Sequence, residues 1–121
     1  SVSDVHLEPQ KNGLRIRGRM DGVLQDLMRI PPVMQDALIS RYKIMARMDI
    51  GEKRLPQDGR IQMTYQDRSI DIRVSSLPTL YGETLVMRLL DSGKGLYSLD
   101  HLGFSKETWN GFISFCMNLM D

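Results

Sequence analysis

Arg88 stands apart from its neighbours. It lies in Leu85-Val86-Met87-Arg88-Leu89-Leu90, an apolar run in which it carries the only charge. A strand with apolar residues on both faces implies burial, and a guanidinium is seldom buried unpaired because its desolvation costs several kcal/mol. Two chemistries would meet that need. One is an ion pair with a nearby carboxylate such as Asp71 or Glu83; the other is capture of an outside anion, and the planar guanidinium fork suits phosphate. Arg73, in Asp71-Ile72-Arg73-Val74-Ser75, poses the same question on a more polar, open face. Spacing alone leaves both chemistries standing.

Other reactive side chains offer less. Arg15, Arg17 and Arg19 form a row at every second position, as a contact to a nucleic-acid backbone could. No aromatic residue interleaves with them, so a solvated sheet face or a protein interface is the expectation, with no nucleic-acid partner. His6 and His101 are far apart and have no metal-ligand spacing, so each is expected to be structural and no metal site is expected. Asp4 and Glu8 sit in strand alternation without a partnered nucleophile. Cys116, in Phe112-Ile113-Ser114-Phe115-Cys116, is expected to be a packed thiol. The phosphate-cradling pattern G-x-x-x-x-G-K-[ST] is missing, and no catalytic residue is assigned.

The elements that must position these groups follow from periodicity. Asp4–Glu8 and Leu14–Met20 alternate apolar with polar residues, and Lys11-Asn12-Gly13 turns between them, so they read as a hairpin. Asp21-Gly22 turns into a third strand over Val23–Ile30. Pro31-Pro32 then opens an amphipathic helix with Met34, Ala37, Leu38, Met45 and Met48 on one face, Lys43 and Arg47 off it, and Gly51 as its stop. Glu52–Arg60 holds five ionisable residues in nine positions and reads as a surface loop. Strands are expected from Ile61, across a turn at Gln66-Asp67-Arg68, through Ile70, Ile72 and Val74 to a stop at Pro78, and over Thr84–Leu90. A helix near 105–120, capped by Ser105, would bury Trp109, Phe112, Ile113, Cys116 and Met117, with Gly111 weakening it. Short turns favour antiparallel pairing, giving an α+β domain with five or six strands and one long helix covering a sheet face.

Bulk properties bound the class. The 121 residues fit one domain, and folding would bury roughly two thirds of the unfolded surface. Sixteen basic and 15 acidic residues argue against wholesale binding to nucleic acid or anionic membrane. With one cysteine and no long apolar run, a cytoplasmic setting is expected. The nine methionines are expected to fill gaps in the core.

Five segments, in order, carry a resemblance: Ser3-Asp4-Val5-His6-Leu7-Glu8-Pro9; Arg19-Met20-Asp21-Gly22-Val23-Leu24; Glu52-Lys53-Arg54-Leu55-Pro56-Gln57-Asp58-Gly59-Arg60; Asp71-Ile72-Arg73-Val74-Ser75; and Gly82-Glu83-Thr84-Leu85-Val86-Met87-Arg88-Leu89-Leu90-Asp91. Their order and spacing resemble the type II/type IV secretion ATPase family, over nearly the whole chain, and the closest branch is that of the type II secretion and type IV pilus extension motors.

The resemblance implies a PAS-like domain, residues 1–121, whose last helix leads toward a RecA-like ATPase core beyond Asp121. It implies a homohexamer at the cytoplasmic face of the inner membrane, partnered by the cores of its own and neighbouring subunits and by inner-membrane platform proteins. ATP and Mg2+ would belong to the whole protein, with none expected on this segment. Arg73 and Arg88 would contact the nucleotide phosphates, and Lys53, Arg54, Gln57, Asp58 and Arg60 would form an inter-domain or inter-subunit loop. The alternative is a stand-alone PAS-like sensor or adaptor that binds a small ligand or a protein partner.

Overall fold

A computed structural model describes residues 2–90 and 104–118. Three strands come first: β1 (Val2–Gln10), β2 (Gly13–Met20) and β3 (Val23–Ile30). Helix α1 (Pro32–Met45) is followed by β4 (Gln57–Tyr65), β5 (Arg68–Thr79) and β6 (Gly82–Leu89), and α2 (Lys106–Asn118) comes last. The strands form one sheet in the order β3-β2-β1-β6-β5-β4, and every neighbouring pair is antiparallel. This is the expected PAS-like α+β architecture with six strands. His101 and Asp91 lie outside the described residues, as does the end of the expected helix past 118.

Alternation decides which face is buried. Leu7 pairs with Ile16 on one side and Leu85 on the other, Val5 with Met87, Met87 with Val74, and Ile72 with Ile61. All are buried, so one sheet face carries the core. Leu38, Ile39 and Tyr42 from α1, and Trp109, Phe112, Ile113 and Cys116 from α2, belong to the same core cluster. Phe112 touches Tyr65 edge-on at a 5.3 Å centroid distance, and Trp109 meets Phe104 at 5.0 Å. Ser105 caps α2 as expected, its Oγ accepting the Thr108 N–H at 3.0 Å. At the far end of the sheet's middle strand, the Val2 N–H donates to the Phe104 carbonyl at 2.6 Å, and the Trp109 indole N–H donates to the Val2 carbonyl at 3.0 Å.

Three boundaries differ from expectation. Helix α1 ends at Met45, well before Gly51. Arg47 takes a left-handed φ of 60°, its N–H bonding to the Ile44 carbonyl and the Met48 N–H to the Lys43 carbonyl, which closes the helix without glycine. Strand β4 begins at Gln57, so the second half of the expected loop is sheet. Pro78 sits inside β5, paired with Glu83, near the strand's end where a missing N–H is tolerated.

The α1 face also differs. Ala37 is exposed, whereas Lys43 is buried with 1% of its surface exposed. Its Nζ donates to both Glu83 carboxylate oxygens, at 2.8 and 3.0 Å, and to the Glu52 carbonyl at 2.9 Å. A buried ammonium is tolerable here because all three of its protons have acceptors.

Candidate functional site

Cross-strand register builds an arginine row on the open face of the sheet. Arg88 of β6 lies directly opposite Arg73 of β5, and Arg73 lies opposite Arg60 of β4. Asp4 of β1 lies opposite Arg88 on the other side. Side chains in direct register share a face, so the sequence Asp4, Arg88, Arg73, Arg60 runs across four adjacent strands at about 4.8 Å per strand. Like charges side by side are unfavourable in a sheet, so each guanidinium needs its own counter-charge.

Each has one. An Arg88 guanidinium nitrogen donates to Asp4 Oδ2 at 3.1 Å, and Arg73 donates to Asp58 Oδ1 at 3.2 Å. Arg60 holds Asp71 through two guanidinium nitrogens. The arginine side chains remain 56%, 60% and 65% exposed at Arg60, Arg73 and Arg88. The Arg73–Asp58 pair is exposed at both partners, so solvent screening leaves that guanidinium available to a stronger anion, whereas Arg88 rests on an acid that is itself buried. The Asp58 carboxyl is held below its ordinary range by hydrogen bonds from Ser75 and then Arg73. The hydrogen bond to Asp71 raises the Arg60 guanidinium further.

The expected burial of Arg88 is therefore wrong, and so are the two carboxylates proposed for it. Leu85, Met87 and Leu89 form the inner face of β6, while Thr84, Val86 and Arg88 face outward, so one valine made the outer face look apolar. Asp71 is taken by Arg60 and Glu83 by Lys43. The buried member of the Arg88 pair is the acid: Asp4 is 3% exposed, with Arg19 at 3.5 Å and His6 at 3.7 Å from its Oδ1. Periodicity gave no sign of it, because β1 and β6 are remote in sequence.

The five residues of the expected loop separate. Asp58 and Arg60 join the row. Gln57 ties the preceding segment together: its side chain donates to the Asp49 and Glu52 carbonyls at 2.9 and 3.1 Å and accepts the Asp49 N–H at 2.8 Å. Lys53 lines a different cleft with Gln35, Ile39 and Glu83, and Arg54 is exposed. Gly59 has a steric reason to be glycine, since a Cβ there would run into the Ala46 carbonyl oxygen and push β4 away from the end of α1.

The other arginine row is paired within the sheet. Arg15 pairs with Asp26 at 2.7 Å, Arg17 with Glu8 at 2.7 Å and Arg19 with Asp4, so the first arginine row is matched by acids on the same face. Cys116 is buried, and desolvation raises its thiol to about 11, which keeps it protonated and unreactive at neutral pH. Burial lowers the His6 imidazole. Among the described residues no three His, Cys, Asp or Glu side chains gather as a metal site, and no helix is long and apolar enough to cross a membrane.

Comparison with known proteins gives a consistent result. A family model described as type II/IV secretion system protein matches residues 1–118. Type II secretion system protein E of Pseudomonas aeruginosa is 48% identical over 107 residues, covering 88% of this chain and 21% of that protein. Type IV pilus assembly ATPase PilB of Acinetobacter baylyi is 46% identical over 108 residues, covering 88% and 19%. The chain thus spans about a fifth of the length of the curated relatives it matches.

Proposed function

The chain belongs to the type II/IV secretion system protein family, and from that premise we propose that it is the nucleotide-responsive arm of an ATPase that powers type II protein secretion or type IV pilus assembly. The observation that carries the reading is the register of Arg88 against Arg73 on an open face, with both guanidiniums exposed. A phosphate group offered to that face can replace the exposed Asp58 as acceptor for Arg73, and can be bound by Arg88 alongside the buried Asp4, because Arg88 gives only one guanidinium nitrogen to that carboxylate.

In this reading the 121 residues form one arm, α2 leads toward the ATPase core, and the arm itself does no chemistry. ATP supplies the phosphates when bound, and the accompanying Mg2+ is held by the core. The arm's own part is to donate from Arg73 and Arg88 and to close over the phosphates. Once they leave, Arg73 returns to Asp58, Arg88 keeps only Asp4, and the arm is free to swing. The assembly is a homohexamer at the cytoplasmic face of the inner membrane, where the segment from Lys53 to Arg60 meets the neighbouring subunit and the ring drives inner-membrane platform proteins. The relatives' names, one of them a pilus assembly ATPase, support the motor. No specific observation among the described residues favours a stand-alone sensor.

The test is Arg88→Ala and Arg88→Lys in the full-length protein. Both should lower ATP hydrolysis and filament or secretion output by roughly 10–100-fold, the worth of one charge-assisted hydrogen bond. Arg88→Lys keeps a cation beside Asp4, so its Tm should stay within a few degrees. Full activity in both variants would rule the role out.

A further inference from the structure

Beside the row, at the outer end of the sheet, lies a cationic cavity that a contact centred on Arg88 does not use. Arg47 occupies the left-handed position that closes α1, where glycine is usual because a Cβ is disfavoured. It lines an open cavity of about 620 Å³ together with Arg60, Arg73, Gln62, Asp58 and Gly59. Gly59 lets the end of α1 approach β4 closely, which brings Arg47 to the same hollow as the two strand arginines. β4 is the terminal strand, so peptide groups along its outer edge are left without a strand partner.

The charges do not balance. Three guanidiniums meet Asp58 in the lining and Asp71 against Arg60, leaving one unbalanced positive charge, that of Arg47. Asp58 is already engaged by Ser75 and Arg73, and Arg60 by Asp71. Arg47 makes no ion pair among the described residues. A phosphate group presents several acceptor oxygens and so can take donors from more than one planar fork at once, where a single carboxylate is filled by one bidentate arginine.

We infer that this cavity, with Arg47 and Arg60 as its main donors and Gln62 as a neutral one, is an anion site for a phosphate-type group, separate from the Arg88 end of the row. It shares Arg73 with the proposed nucleotide contact and rests on that reading only to that extent.

The experiment is titration of the 121-residue chain with sodium tripolyphosphate at low salt, followed by calorimetry and by the arginine side-chain NMR signals, with phosphatidylglycerol vesicles as a parallel arm. Saturable binding of either probe is expected, and which one binds identifies the source as a free polyphosphate or a lipid headgroup. Arg47→Gly should weaken binding roughly 10-fold, as loss of a charge-assisted donor would, and it should keep the fold because glycine suits that backbone. Arg60→Gln should weaken it similarly, and Arg29→Gln, on the opposite edge strand β3, should leave it within twofold. Absence of saturable binding to either probe, or a folded Arg47→Gly chain with unchanged affinity, would overturn the inference. Tighter binding of a glutamate-rich peptide than of tripolyphosphate at equal ionic strength would overturn it in favour of an acidic protein segment. A silent Arg47→Gly beside a strong Arg88→Lys effect would remove this site and leave the nucleotide reading intact.

Discussion

Removing either partner of the Lys43–Glu83 pair strands the other charge among apolar side chains. Glu83→Gln or Lys43→Met should therefore cost about 3–5 kcal/mol in urea unfolding, while the double change Lys43→Met/Glu83→Leu should recover most of the loss. Additive single effects would show that the two charges are not coupled. Lys43 could be placed from sequence only in hindsight. It follows Ile39 by four residues and so shares the buried side of the turn, but lysine's usual exposure outweighed the spacing. His6 gives a second prediction. Burial holds its folded pKa below the ordinary 6.5, so the unfolded chain takes up the proton first as pH falls. Stability should be fully present above pH 6.5, decline as pH falls through the folded value, and level off below it. The urea midpoint should drop between pH 7.5 and 5.5, and His6→Gln should flatten that drop.

At the scale of elements, helix α2 carries a glycine in its interior, and its sequence alone suggests a weak point. The reason is steric: a Cβ at Gly111 would lie 2.9 Å from the Tyr65 hydroxyl. Gly111→Ala alone should gain nothing, because the helix propensity of about 1 kcal/mol is offset by the clash. Combined with Tyr65→Phe, which removes the hydroxyl, the same substitution should raise Tm by several degrees; no gain in the double variant would rule out the clash as the cause. Strands were legible because one face of each meets the core and the alternation survives in sequence. Helix α1 was legible in kind but not in length, since its end is set by the left-handed Arg47 and by packing on Gly59, neither of which leaves a periodic trace.

Across the whole molecule, element order followed from local pattern, whereas strand order did not. Arg88, Arg73 and Arg60 meet through two hairpins, so their proximity follows from adjacent strands. Asp4 meets Arg88 across a separation of 84 residues, through the β1–β6 pairing that makes β1 an interior strand. That one long-range pairing turned a supposedly buried cation into an exposed one above a buried acid. The charges of the open face are mostly paired at the surface, so raising NaCl from about 0.05 to 1 M should shift unfolding free energy by no more than about 1 kcal/mol. A larger shift, read from urea midpoints, would mean the row carries more of the fold's stability than its exposure suggests.

The Val2 clamp has a mechanical consequence. Phe104 and Trp109 grip the first residue of β1 from both backbone sides, and β1 is hydrogen-bonded along both its edges. A tug on α2 therefore enters the sheet lengthwise along an interior strand, where many ladder bonds share the load in shear rather than opening one after another. The strand so loaded is the one that bears Asp4, so a pull on α2 is passed, across the irregular pairing between Val2 and Val5, toward the carboxylate that holds Arg88.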